Sequence, residues 1–322
     1  MIITLFIICG LLLLFFGGDM LVSGAVKIAK HFGMSELLIG ITLVGFGTST
    51  PELMTSILAA FDGLPGIAVG NVVGSNIANI CLILGVAALI FPLACDKKTW
   101  ARDGGFMVAA SLLFLGACFY GFINLWLGII FLATLFAYIS YCVATELRAV
   151  KLGKVEAVEE EEPLTKKNLL KDVALFIGGL LLTFAGAHLL VNGSVDLARL
   201  FGVSETIIGL TIVAIGTSMP ELVASAMAAY KKNTDIAYGN IIGSNIYNIL
   251  GIMGVTAILQ PFAIPAQIIE FDIWVMLGAT ALLMAFSAHR WLIHRWKGAV
   301  FLSAYICYTA YLVYIALQQS IL

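Results

Sequence analysis

FGMSELLIGITLVGFGTSTPELMTSILAA, Phe32 to Ala60, and FGVSETIIGLTIVAIGTSMPELVASAMAA, Phe201 to Ala229, are two versions of one segment set 169 positions apart. The same offset lays IAVGNVVGSNIANI, Ile67 to Ile80, over IAYGNIIGSNIYNI, Ile236 to Ile249. Roughly half of the positions between Phe32 and Gly85 match their partners without a gap, more than a shared apolar composition produces by chance. The similarity weakens before Gly17 and after Gly85. Whatever chemistry this segment carries, the chain carries it twice.

The solvent for that chemistry follows from composition. Of 322 residues, 61% are apolar and 11% charged, and the mean hydropathy is +1.05. Soluble chains carry about 25% charged residues, so a water-soluble enzyme, a nucleic-acid binder and a disordered scaffold are excluded. Seventeen Lys and Arg against 19 Asp and Glu leave a formal charge of −2, too balanced for a polyanionic partner. The six cysteines (Cys9, Cys81, Cys95, Cys118, Cys142, Cys307) fall mostly in apolar stretches without metal-ligand spacing and read as small core residues. The chain reads as an all-α polytopic protein of the lipid bilayer.

A spanning helix needs about 20 mainly apolar residues. Such stretches fall at about 2–26, 36–61, 66–92, 104–122, 124–145, 172–199, 205–230, 236–260, 268–289 and 298–317, which makes ten. The first starts at Ile2 without a basic leader or cleavage site and reads as a retained helix. Basic loops stay in the cytoplasm. With the N-terminus outside, sixteen of the 17 Lys and Arg fall in cytoplasmic loops, among them Lys97, Lys98, Lys231, Lys232, Arg290, Arg295 and Lys297, and only Arg199 falls outside. Both termini are then extracellular. The chain divides into a five-helix repeat at 1–145, a charged cytoplasmic linker at 146–171 and a second five-helix repeat at 172–322. The acidic run Glu159 to Glu162 in the linker lacks the alternating oxygens and turn glycine of a calcium loop and reads as a solvated hinge. Five spans per copy is an odd number, so the second copy enters the membrane inverted. In that plan of secondary transporters the binding site lies near mid-membrane, where the copies meet.

Each copy interrupts its second helix with Gly-Thr-Ser-X-Pro-Glu: Gly47 to Glu52, and Gly216 to Glu221. Proline lacks an N–H and its ring collides with the carbonyl four residues back, so Pro51 and Pro220 free the carbonyls of Gly47 and Gly216. In hydrocarbon those carbonyls need a partner, and a cation supplies one. Glu52 and Glu221 follow at a depth where a carboxylate costs several kcal/mol unless compensated. Thr48 and Ser49 lie four and three residues before Glu52, so their oxygens gather on one side of the helix, as do those of Thr217 and Ser218 with Glu221. The third helix of each copy adds a polar stripe every four residues: Asn71, Ser75 and Asn79; Asn240, Ser244 and Asn248. Gly70, Gly74, Gly239 and Gly243 permit close helix approach. Helices 2, 3, 7 and 8 are therefore expected to be broken around a central site. Its donors are hard oxygens, as calcium requires, whereas zinc or copper would call for His or Cys.

With Glu52 and Glu221 as the only acids at that depth, the bare site carries −2. One Ca²⁺ or two Na⁺ neutralise it, a third Na⁺ leaves +1, and protons compete at acidic pH. A neutralised site crosses the occluded intermediate more cheaply than a bare one, which is the physical basis of exchange.

The paired GTSTPE and GTSMPE segments, with GSNIAN at Gly74 to Asn79 and GSNIYN at Gly243 to Asn248, resemble the two signature alpha repeats of the prokaryotic-type sodium/calcium exchangers in the calcium/cation antiporter superfamily. The match covers about 50 residues per copy, and the ten-span layout extends it across the chain. The resemblance implies Na⁺/Ca²⁺ antiport across the plasma membrane by alternating access, with no cofactor, no enzymatic activity and no obligatory protein partner. By it, Glu52 and Glu221 with the backbone oxygens of Thr48 and Thr217 form a calcium site. Ser49, Ser218, Ser75, Ser244 and the carbonyls of Gly45 and Ala214 complete flanking sodium sites, and Asn79 and Asn248 bound the centre. It also implies that spans one and six slide across the other eight. Many members carry aspartate where this chain has Asn248, which leaves two central carboxylates rather than three.

Other readings stay open beside this one. Ca²⁺/H⁺ or another cation/proton exchange would use the same glutamates. A channel suits converging broken helices less well than an occluding carrier. A hydrolase using Ser49 or Ser218 would lack a nearby His or Lys to activate the hydroxyl. Asn71 and Asn240 fit either helix packing or ion ligation. Asp19 and its repeat partner His188 fit snorkelling or a local hydrogen bond. Ser35 with Glu36, and Ser204 with Glu205, read as helix caps.

Overall fold

Prolines and capping side chains mark where the helices begin. The computed structural model describes residues 2–31, 45–151 and 166–319, nearly all of them helical. In the first half lie α1 (Ile2–His31), α2 (Gly45–Thr48), α3 (Thr50–Phe61), α4 (Pro65–Ile90), α5 (Lys97–Tyr120) and α6 (Leu125–Lys151). The second half holds α7 (Lys166–Phe201), α8 (Glu205–Thr217), α9 (Met219–Tyr230), α10 (Thr234–Leu259), α11 (Ile268–Ala288) and α12 (Arg295–Gln319). Among the described residues seven helices are long and apolar enough to cross a membrane, eight if α8 and α9, bent by 47°, count as one span. α1 covers the first expected span, and α2 with α3 the end of the second.

Local chemistry explains these boundaries. Pro65 opens α4, where its missing N–H costs nothing. Asp96 Oδ2 accepts the N–H groups of Lys98 and Thr99, both at 2.9 Å, at the start of α5. Ser204 caps α8 by accepting the Ile207 N–H at 3.3 Å, as its position suggested. Ser35, Glu36 and the Glu159 to Glu162 run lie outside the described residues. Gly121 ends α5 at φ +75°, and Arg290, 169 positions later, takes φ +65°, so the turn persists where the glycine does not.

One expectation needs correction. α4 and α10, the third helices of the two copies, are not broken. Neither contains an internal proline, so neither loses a backbone donor. Each instead carries a π-helical stretch, Ala78–Ile83 and Tyr247–Ile252, in which one extra residue widens the turn. Asn79 and Asn248 stand at the second position of these wide turns. Among the described residues, helices of the two copies break where proline follows, at Ser49 and Ser218.

The two copies are tied together at several levels. β1 (Leu93–Ala94) pairs antiparallel with β4 (Leu292–Ile293), and β2 (Phe122–Ile123) with β3 (Phe262–Ala263). Each two-stranded sheet takes one strand from each half, and Leu93 and Phe262 keep the offset of the sequence repeat. α4 and α10 form the inner pair: 78% and 89% of their most apolar stretches are buried, against 22% to 28% for α6, α7 and α12, which face outward. α4 crosses α8 closely, since a Cβ on Gly70 would meet Thr206 O at 2.8 Å and one on Gly74 would meet Leu210 O at 2.8 Å. α1 lies along α7 on a glycine stripe of period seven. A Cβ on Gly10, Gly17 or Gly24 would come within 2.7 to 2.8 Å of a backbone nitrogen of α7, and one on Gly186 within 2.8 Å of Leu14 N. The two backbones touch, and no side chain fits between them.

Lys297 behaves unlike the loop cation the charge count took it for. It is fully buried, and its Nζ donates to the carbonyl oxygens of Phe286 (2.7 Å), His289 (2.8 Å) and Leu292 (2.7 Å). These carbonyls belong to the end of α11 and the turn after it, where the helix dipole favours a cation. Lys297→Met removes all three bonds and is expected to lower stability by about 2 kcal/mol, read as a fall in the detergent thermal midpoint. An unchanged midpoint would show the lysine to be dispensable. On the α1–α7 seam, Gly186→Val is expected to abolish the folded, monodisperse protein seen by size-exclusion chromatography. Gly116→Ala, where a Cβ meets nothing within 4 Å, is expected to be tolerated.

Candidate cation site

Ser49 and Ser218 share one backbone conformation, φ −86°, ψ 6° and φ −83°, ψ 8°, at the joints between α2 and α3 and between α8 and α9. Pro51 and Pro220 then occupy the first turns of α3 and α9, with Glu52 and Glu221 beside them. Each carboxylate thus stands at a helix N-terminus, where unpaired N–H groups and the helix dipole favour negative charge.

The two joints meet. Glu52 is 0% and Glu221 1% exposed. Ser218 Oγ donates to Glu52 Oε1 at 2.8 Å, and Ser49 Oγ donates to Glu221 Oε1 at 2.9 Å. Each glutamate is therefore held by the serine of the other copy. Their second oxygens, both Oε2 atoms, have no protein partner among the described residues. The same is true of Ser75 Oγ, Ser244 Oγ and the amide atoms of Asn79 and Asn248. A buried polar atom without a partner costs about 1–3 kcal/mol. Here such atoms occur in repeat-related pairs, on α3 with α9 and on α4 with α10, as a ligand-binding set would require.

The remaining expected ligands are placed as follows. Thr48 and Thr217 are buried, and Thr217 Oγ1 lies 3.0 Å from both Asn71 Oδ1 and Val213 O, which share its proton. Ala214 is buried, and its carbonyl accepts the Ser218 N–H at 3.1 Å with the Thr217 hydroxyl 3.4 Å away. Gly45 opens α2. Every donor is an oxygen or an amide, and among the described residues no group of three or more His, Cys, Asp or Glu is found. Two carboxylates with hydroxyl, amide and carbonyl oxygens suit a hard cation of the Na⁺ or Ca²⁺ type.

Asn71 acts on other protein groups. Its Nδ2 donates to Glu52 O (3.1 Å) and Ser56 Oγ (3.0 Å) while Oδ1 accepts from Thr217. Asn240 Nδ2 donates to Ser225 Oγ at 3.0 Å. His188 Nε2 lies 3.2 Å from Asn192 Nδ2, a local bond, and Asp19 is exposed.

Two buried acids related by the repeat escaped the sequence reading. Asp103 is clasped by Arg102 Nε (2.6 Å) and Nη2 (2.8 Å) and receives the Tyr138 hydroxyl at 3.0 Å. Asp272, 169 positions on, receives the Tyr308 hydroxyl at 2.9 Å. Both stand in π-helical stretches near the starts of α5 and α11. The constant offset was the available signal, but the flanking similarity has faded there and the two tyrosines are one position out of step.

The comparisons with known proteins accord with this geometry. The family described as sodium/calcium exchanger protein matches residues 2–144 and 171–314. The chain is 38% identical to the putative antiporter CaxA of Alkalimonas amylolytica, over 95% of this chain and 97% of that one. It is 33% identical to the sodium/calcium exchanger MaX1 of Methanosarcina acetivorans, over 97% and 98%. Its fold is similar to the solved structure of the sodium-calcium exchanger NCX_Mj soaked with Na⁺ and Sr²⁺, with TM-score 0.69, 32% identity and coverage of 96% and 98%. The chain belongs to the sodium/calcium exchanger family, whose members are transporters and not enzymes.

Proposed function

We propose that this multi-pass membrane protein is a secondary antiporter that exchanges Na⁺ for Ca²⁺ across the plasma membrane by alternating access. In this reading ten spans form two inverted five-helix repeats, 1–145 and 172–322, joined by the cytoplasmic linker 146–171, with both termini outside. The observation that carries it is the crossed pair of bonds between Ser49 and Glu221 and between Ser218 and Glu52. Those bonds hold one carboxylate from each copy at a single buried locus, and each carboxylate's other oxygen has no protein partner among the described residues.

The chemistry follows from what each group has left to offer. A serine that spends its proton on a carboxylate keeps two lone pairs. Ser49 and Ser218 can therefore ligate a cation while still orienting the glutamate opposite. A divalent ion shared by Glu52 and Glu221, with the backbone oxygens of Thr48 and Thr217, cancels the −2 charge. Two Na⁺ do the same at flanking positions made by Ser49, Ser75 and Gly45 O, and by Ser218, Ser244 and Ala214 O. Asn79 and Asn248, in their wide turns, bound the centre. A locus that is neutral when filled and −2 when bare can move past the hydrocarbon only when filled, and this makes the exchange obligatory. The glycine-seamed pair α1 and α7 would slide as one body over the rest. If a third Na⁺ moves per cycle, a charge crosses, and transport couples to voltage at about 2.3 kcal/mol per 100 mV.

Radioactive calcium uptake into proteoliposomes loaded with Na⁺, K⁺ or a proton gradient tests the reading. Uptake driven by internal Na⁺ is expected. Uptake driven only by protons would favour the Ca²⁺/H⁺ alternative, since two protons neutralise the same carboxylates, and ion-independent leak would favour a channel. Glu52→Gln and Glu221→Gln are each expected to reduce exchange at least about a hundredfold, since each leaves a divalent ion under-neutralised by one charge at low dielectric. Sodium-driven uptake is also expected to fall as the external pH is lowered and protons occupy the glutamates. A flat profile down to pH 5 would argue against proton competition.

A further inference from the structure

The two copies are not in the same condition, and the difference lies in one hydrogen-bonded asparagine. Asn71 on α4 joins three elements: Nδ2 donates to Glu52 O and Ser56 Oγ on α3, and Oδ1 accepts from Thr217 on α8 at 3.0 Å. Its repeat partner Asn240 on α10 donates to Ser225 Oγ on α9 of its own copy. Asn240 Oδ1 is buried and has no partner among the described residues, and the residue that the 169-position offset pairs with Thr217 is Thr48. The cross-copy bond is therefore made on one side of the pseudo-dyad and open on the other.

Exchanging the conformations of two inverted copies converts a carrier open to one side into the same carrier open to the other. We infer that Asn71 and Asn240 are alternating latches. In the state seen here Thr217, the last residue of α8, is bonded to Asn71, holding α8 against α4 beside the joint at Ser218. In the opposite state that bond is broken, and Thr48 donates to Asn240 Oδ1. Both asparagines are positioning residues: they set which end of the site is closed and do not touch the ion. The latch needs little energy to release, because Thr217 Oγ1 lies equally near Val213 O and keeps that acceptor when it leaves Asn71. The α4–α8 contact it guards is tight, with Gly66, Gly70 and Gly74 of α4 against Thr206, Leu210 and Ala214.

This inference rests on the alternating-access reading, but it is tested without ion flux. Thr206, 7% exposed and seated against Gly66 and Gly70, is replaced by cysteine in a background lacking the exposed Cys307 and the half-buried Cys9. Its labelling by a thiol reagent is followed in detergent, in buffer free of Na⁺ and Ca²⁺, as the increment over the same background without Thr206→Cys. Asn71→Ala is expected to speed labelling about fivefold, the population shift that loss of one neutral hydrogen bond produces. Thr217→Val, nearly isosteric, is expected to do the same, and the double variant no more than either. Asn240→Ala is expected to slow labelling or leave it unchanged, because it removes a bond present only in the opposite state. Labelling unaltered by Asn71→Ala or Thr217→Val would overturn the latch. So would equal acceleration by Asn240→Ala, the mark of a merely structural role. Failure of Na⁺-driven uptake with this labelling pattern intact would count against the proposed cargo and leave the latch standing.

Discussion

A carboxylate withdrawn from water into hydrocarbon must be compensated, and in this protein the compensation crosses from one copy of the repeat to the other. Ser218 orients Glu52 and Ser49 orients Glu221, so neither half can build the site alone. The rest of the structure can be understood as what that crossing demands. Two helices must break beside the carboxylates, and a proline follows each break. Two inner helices must come close enough to wall the site, and glycine lets α4 reach the backbone of α8. The halves must stay in register at both ends, and the β1–β4 and β2–β3 pairings each contribute one strand per half.

Burying so much polarity without a protein partner is costly, and its distribution is informative. The unpartnered Oε2 atoms of the glutamates, the hydroxyls of Ser75 and Ser244 and the amides of Asn79 and Asn248 fall in matched pairs. By contrast, Asp103 and Lys297, equally buried, are bonded to their neighbours: one is clasped by Arg102 and Tyr138, the other surrounded by three carbonyls. These two groups are satisfied by the fold itself, whereas the matched pairs on the helices that carry the glutamates and on α4 and α10 are left open to a ligand. Cations with oxygen preferences are the species such a set serves.

Much of this was legible in the sequence because the duplication removes ambiguity. A single Gly-Thr-Ser-X-Pro-Glu in a membrane helix could be a kink, but the same glutamate repeated at a fixed offset marks a site. What the residues could not show is how the copies are crossed, since sequence spacing reports neighbours on one helix and Ser49 meets a residue 172 positions away. The breaks expected in helices 3 and 8 are absent: neither helix has an internal proline, and each runs on through a π-helical stretch. Lys297 was misread because charge counting treats every cation near a span end as solvated, whereas the unpaired carbonyls at the end of α11 draw this one inward. Asp103 and Asp272 were hidden by fading similarity around them.

The claim on which the account stands is that one divalent ion is shared by Glu52 and Glu221. Equilibrium binding of radioactive calcium to the purified protein, compared with Glu52→Gln, Glu221→Gln and the double variant, tests it directly. One ion per chain is predicted for the parent, with binding lost in each single variant and no further loss in the double. Calcium retained at near-parental affinity by either single variant would contradict a shared site.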